Sequence, residues 1–169
     1  MTMTFYAQPY DISATGFFFN DFETYAREAA AKVNAHGQRV EEYEIQTIDG
    51  DDIDVALASA LAPHQGQLKA FFARLDDWND DQKRRAVIAV SECGHALDLE
   101  TDDPADIDLD IYEMESMREL AEHFVDEGLF GEIPERLQFY IDFDAIARDL
   151  SVDYSETEIA GQRLVYRCG

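Results

Sequence analysis

Basic residues are scarce. Lys and Arg total 13 against 37 Asp and Glu, a formal charge of −24 at neutral pH, and the only lysines are Lys32, Lys69 and Lys83. That deficit excludes direct binding to nucleic acid or to an anionic membrane, because both require cations that neutralise phosphates. The same charge would be drawn to a protein that itself binds DNA. Cysteine is nearly absent. Cys93 and Cys168 lie far apart in sequence; two cysteines are too few for a disulfide framework, no C-x-x-C pair suggests zinc, and a reducing cytoplasm is the expected location. No apolar run approaches the ~18 residues of a membrane span. Residues Met1 to Tyr10 have neither the basic region nor the apolar region of a signal peptide.

Motifs for chemistry are missing as well. None of His36, His64, His95 and His123 sits in H-E-x-x-H, and neither G-x-S-x-G nor a phosphate-binding G-x-x-x-x-G-K-[ST] loop occurs. Asp106-Ile-Asp-Leu-Asp110 begins like a calcium loop, but Ile111 stands where the sharp turn needs Gly. Asp81-Gln-Lys83 resembles the last element of a metal-dependent nuclease motif, without the upstream Pro-Asp; a helix-surface ion pair explains it better. Cys93-Gly-His95 reads as a cysteine at a helix end beside a turn rather than a nucleophile and its base. The expectation is a non-enzyme with no catalytic residue, no metal and no cofactor.

What is present argues for a folded chain. Hydrophobic residues make up 46% and aromatics 12%, more than a disordered acidic chain carries. Phe5 to Tyr10 and Phe17 to Phe19 read as strands around a turn at Gly16. A helix from Asp21 to about Ala35 follows, with Asn20 and Glu23 as its capping box, and Val40 to Ile48 reads as a third strand. Asp52 to Leu61, Gln67 to Leu75 and Asp80 to Val90 have helical spacing, with Asn79 as an N-cap and Phe71, Leu75 and Trp78 on an inner face. Ile107, Leu109 and Ile111 alternate with Asp106, Asp108 and Asp110, the pattern of a half-buried strand with a carboxylate row outside. Ser116 to Glu127 is helical with Met117, Leu120, Ala121 and Phe124 at core spacing. Pro134 opens a short helix through Phe139, Asp142 to Leu150 another, and a hairpin turns at Ala160-Gly161 between Val152 to Ile159 and Gln162 to Arg167. The fold class is α+β.

Charge is spread along the whole chain: residues 1–62 carry −8, residues 63–107 −5 and residues 108–169 −11. It is densest from Asp98 to Glu122, where Arg118 is the only base. Alternate carboxylates on a strand lie roughly 6.7 Å apart, close to two phosphate steps of ~3.4 Å along one DNA strand. A solvated surface, as in acidic proteins of a high-salt cytoplasm, accounts for the composition equally well.

One stretch is more specific. Gly128-Leu-Phe-Gly131-Glu-Ile-Pro134-Glu-Arg-Leu137-Gln-Phe-Tyr140-Ile141-Asp142, continuing to Arg148-Asp149-Leu150, resembles the ArdA antirestriction family. Phe5-Tyr-Ala with the Gly16 turn is similar to that family's opening strand pair, and Glu41-Glu-Tyr43-Glu-Ile45 to its third strand. Ile146-Ala147 stands where the family often has Tyr-Gly before Arg-Asp-Leu.

The resemblance implies a DNA mimic encoded largely on mobile elements, which enters the DNA-binding groove of Type I restriction-modification enzymes and inhibits them stoichiometrically. It implies an elongated chain of three small domains, here an N-terminal α+β domain 1–62, a central helical domain 63–107 and a C-terminal α+β domain 108–169 that forms the homodimer. Gly131, Pro134, Leu137, Tyr140, Ile141, Asp142, Arg148, Asp149 and Leu150 would then serve fold and pairing. The acids expected to mimic phosphates are Asp76, Asp77, Asp80, Asp81, Asp98, Glu100, Asp102, Asp103, Asp106, Asp108, Asp110, Glu113 and Glu115. The rival expectation is an acidic, halophilic protein-binding module whose target is another DNA-binding protein.

Overall fold

The computed structural model describes residues 1–169 as two compact units, Met1–Asp106 and Ile107–Gly169. The chain is mixed α and β, with six α-helices and two three-stranded antiparallel sheets.

In the first unit, β1 (Thr4–Pro9) lies between β2 (Phe17–Phe19) and β3 (Tyr43–Asp49). Period-two alternation puts Phe5, Ala7, Phe17 and Phe19 on the buried face. Helices α1 (Phe22–Ala31), α2 (Asp52–Leu61), α3 (Leu68–Asp77) and α4 (Asp80–Ser91) complete the unit. Phe5 lies in the middle of an aromatic core, 5.5 Å from the Phe19 ring, 5.8 Å from Phe71 and 5.6 Å from Phe72. Ring pairs at such separations add about 0.5–1.5 kcal/mol each beyond the area they bury. Gly16 is required where it stands: a Cβ there would meet the Ala7 carbonyl oxygen at 2.3 Å and the Tyr6 ring at 2.6 Å.

Helix α1 differs from expectation at both ends. Its N-cap is Asp21, whose carboxylate accepts the Thr24 N–H at 2.6 Å, whereas Asn20 turns back to donate to Thr4 Oγ1. The helix stops at Ala31 instead of Ala35 because Asn34 offers the backbone a competing partner. Its side-chain oxygen accepts the N–H groups of His36 and Gln38, both at 2.9 Å, and its amide donates to Asp11. Asn79 caps α4 as expected, in a reciprocal capping box with Gln82.

In the second unit, β4 (Leu109–Tyr112) and β5 (Ser155–Ile159) flank β6 (Gln162–Cys168). Helix α5 (Met117–Asp126) buries Met117, Leu120, Ala121 and Phe124, as its spacing requires. Met117, Leu120 and Phe124 pack with Tyr154 and Val165, and Ala147 and Leu150 of α6 (Phe143–Leu150) reach the same core. The β5–β6 turn is made by Ala160 and Gly161, both at positive φ (51° and 79°), the backbone that a two-residue hairpin of this twist needs.

The strand expected from residue 107 begins only at Leu109, whose register partner is Cys168, near the end of β6. The residues before it turn instead: Pro104–Asp106 is a 3-10 turn, held by Asp103 accepting the Ala105 N–H at 2.9 Å. The anticipated row of Asp106, Asp108 and Asp110 is therefore not a strand face. Asp106 lies in that turn in the first unit, and of the three only Asp110 lies in a strand.

Candidate acidic interface

In the first unit, three segments bring carboxylates together: the end of α3 (Asp76, Asp77), the start of α4 (Asp80, Asp81) and the loop 98–106. Acids in the first turn of α4 face the positive end of that helix, which favours them there. Basic side chains tie the loop down through its backbone. Arg74 donates from Nε to the Leu99 carbonyl at 2.6 Å and from Nη2 to the Glu100 carbonyl at 2.9 Å. Arg85 donates to the Pro104 carbonyl at 3.0 Å, and Gln82 to the Asp103 carboxylate at 3.1 Å.

The loop's own acids add to this. Asp98 accepts the Glu100 N–H and Asp102 accepts the Asp98 N–H, each at 2.8 Å. The N–H of Ala105, with the Gln82 amide second, holds the Asp103 carboxyl below the usual carboxylate range. Asp98 and Asp103 each use one oxygen to shape the loop and keep the other for a partner, whereas Asp102 uses both, the second accepting from the Thr101 hydroxyl at 3.3 Å.

Little of this charge is compensated. Among Asp76, Asp77, Asp80, Asp81, Asp98, Glu100, Asp102, Asp103 and Asp106, only Asp77 and Asp81 form ion pairs, with Arg74 at 3.8 Å and Arg84 at 2.8 Å. All nine are exposed except the half-buried Asp102. Lys83, whose charge could have offset them, is buried against Asp54 at 2.6 Å.

Asp108, Asp110, Glu113 and Glu115 belong to the second unit. Asp110 is half-buried and paired with Arg167 at 2.5 Å, so it is the least available of the thirteen acids expected as mimics. Asp108, Glu113 and Glu115 are exposed. Exposed acids outside the expected set, among them Glu41, Glu44, Asp149 and Glu158, extend the negative surface of each unit. The net negative charge of all three sequence segments is the signal for them. No group of three or more His, Cys, Asp or Glu residues is arranged to hold a metal ion, and no helix is long and apolar enough to cross a membrane.

The motif residues gather between α5 and α6. Gly131 lies in the loop after α5, and Pro134 caps the 3-10 turn Glu135–Tyr140. Ile141 ends that turn half-buried, and Asp142 caps α6 by accepting the Ala145 N–H at 3.0 Å. Arg148 and Asp149 are exposed on α6, while Leu150 meets the core. Leu137 and Tyr140 are exposed, and so are their neighbours Leu129, Phe130 and Phe139, the last to 92%. That apolar exposure was not legible beforehand, because a turn that buries nothing has no periodic pattern.

No curated protein matches the chain. A family model described as antirestriction protein (ArdA) matches residues 11–161, a span that includes the loop 98–106 and the whole Gly131–Leu150 motif. The chain belongs to the ArdA family of antirestriction proteins, inhibitors that interact with restriction enzymes rather than catalysts.

Proposed function

We propose that the protein inhibits Type I restriction-modification enzymes stoichiometrically, by presenting its carboxylates to their DNA-binding groove in place of phosphates. The observation that carries this reading is the set of uncompensated carboxylates around the loop 98–106, held by Arg74, Arg85 and Gln82 before any partner arrives. Acids already fixed lose less freedom on binding. Their field speeds encounter with a basic groove. Phosphate-like contacts carry no base sequence, so the inhibitor acts whatever site the enzyme recognises. The charge of −24 corresponds to about 40 Å of duplex at one charge per ~1.7 Å.

The same reading makes the active species a homodimer joined through residues 108–169. Leu129, Phe130, Leu137, Phe139 and Tyr140 support it, since exposed apolar residues grouped in this way favour an interface. Two chains would match roughly 80 Å of duplex. The sequence division enters as a division of labour: 63–107 supplies the densest fixed carboxylates of its unit, 1–62 extends the charged surface and 108–169 pairs.

The test is competition. A purified Type I methyltransferase core is held on labelled duplex while the protein is titrated in at two salt concentrations. Displacement that weakens with salt is expected. Failure to displace at low salt, from a folded protein, refutes the reading and leaves another DNA-binding protein as the target.

A further inference from the structure

The buried face of the β2–β1–β3 sheet is filled by Phe5, Ala7, Phe17 and Phe19, but the opposite face has no covering element and is not polar throughout. Register places Tyr6 opposite Phe18 on one side and Gln46 on the other. The Tyr6 and Phe18 rings are 4.7 Å apart, and Phe18 is 62% exposed. Tyr6 is braced from behind, since its ring lies where any Cβ on Gly16 would have to go. The three strands contain no Lys or Arg, while Glu44, exposed on β3, accepts from the Gln46 amide at 3.3 Å.

A fixed aromatic pair on a sheet that carries the exposed Glu44 carboxylate and no strand cation suits a guanidinium, which stacks on a ring face and pairs with an acid. A second copy of this chain is not the occupant, because the exposed apolar group that supports pairing, around Phe139 and Tyr140, belongs to the other unit. We propose that this open sheet face, centred on Tyr6 and Phe18, is a second contact surface that takes arginine side chains from the basic surface of the target enzyme. The inference rests on the proposed function and adds to it a contact that phosphate mimicry does not use.

The two kinds of contact respond differently to salt. Loss of a carboxylate contact makes affinity less salt-dependent, whereas loss of a ring leaves the slope of log affinity against log salt unchanged and lowers affinity throughout. In the competition assay with the methyltransferase core, Phe18→Ala is expected to weaken displacement roughly tenfold with that slope intact. Phe18→Trp is expected to retain wild-type affinity. Phe18→Leu, which keeps apolar bulk without a ring face, is expected to follow alanine and carries the test if the alanine variant melts early. Affinity within twofold of wild type for both Phe18→Ala and Phe18→Leu overturns the inference while wild-type displacement stands. Absence of displacement by the wild-type chain overturns the proposed function and this contact with it.

Discussion

Arg74→Met separates the effect of charge from that of fixed geometry, because the two predict opposite signs. The substitution removes one positive charge, taking the net charge from −24 to −25. If total charge governed inhibition, the variant would bind its target slightly better. The structure predicts weaker binding, since Arg74 holds the Leu99 and Glu100 carbonyls. Hydrogen bonds to charged groups contribute about 1.5–3 kcal/mol each. The Arg74 side chain is 24% exposed and its Nη2 bond lies at the surface, so roughly 2 kcal/mol is a fair total for the two. Methionine keeps the apolar stem that lies beside Trp78, whose ring is 5.7 Å from the guanidinium.

A loss of ~2 kcal/mol raises the open population of the loop about thirtyfold. Amide exchange should quicken at Asp102 and Asp106, whose N–H groups bond to the Asp98 and Asp103 carbonyls within the loop. Displacement of duplex should need severalfold more protein. Faster exchange with unchanged or improved displacement would refute the argument that fixed geometry matters.

Three other outcomes are expected. Asp54→Ala leaves the Lys83 ammonium buried without its partner and should cost about 3 kcal/mol by urea unfolding, with most of it restored in Asp54→Ala/Lys83→Met; a loss under ~1 kcal/mol would count against the pair's burial. Single Asp→Asn changes at Asp76, Asp80 or Asp106 should leave inhibition nearly intact, while all three together should flatten its salt dependence; a collapse from one change would contradict distributed binding. NMR titration should place the Asp103 carboxyl below the ordinary carboxylate range. A depressed folded value means that its stabilisation of the loop is present above the unfolded value and lost as pH falls through the folded one, so Gln82→Ala should move that titration upward.

Much of the local structure was legible because it is written at short range. The Asn79 cap, the core positions of α5 and the Ala160-Gly161 turn each depend on a few adjacent residues. The readings that failed depend on distant ones. The strand expected from residue 107 was read from alternation alone, but a strand extends only as far as its partner, and β6 pairs no earlier than Leu109. Helix α1 ends earlier than its spacing suggests because the Asn34 side chain takes the His36 and Gln38 N–H groups, in an orientation held by Asp11, 23 positions away.

The sequence by itself determined the sign and spread of the charge, the absence of motifs for catalysis and the family motif from Gly131 to Leu150, since composition and contiguous pattern survive any fold. Only the tertiary structure decided which acids stand free and which are paired. Asp110 and Asp106 look alike in one alternating run, yet Asp110 is neutralised by Arg167 and Asp106 is exposed in a turn. Arg74, Arg85 and Lys83 look in the sequence like partners for the surface acids. Folding aims the short hydrogen bonds of Arg74 and Arg85 at backbone carbonyls, leaving Arg74 only a long 3.8 Å pair with Asp77, and sends Lys83 to a buried carboxylate. The physical reason is that net charge is a sum over residues, whereas compensation is a matter of distance, and distance is set by packing.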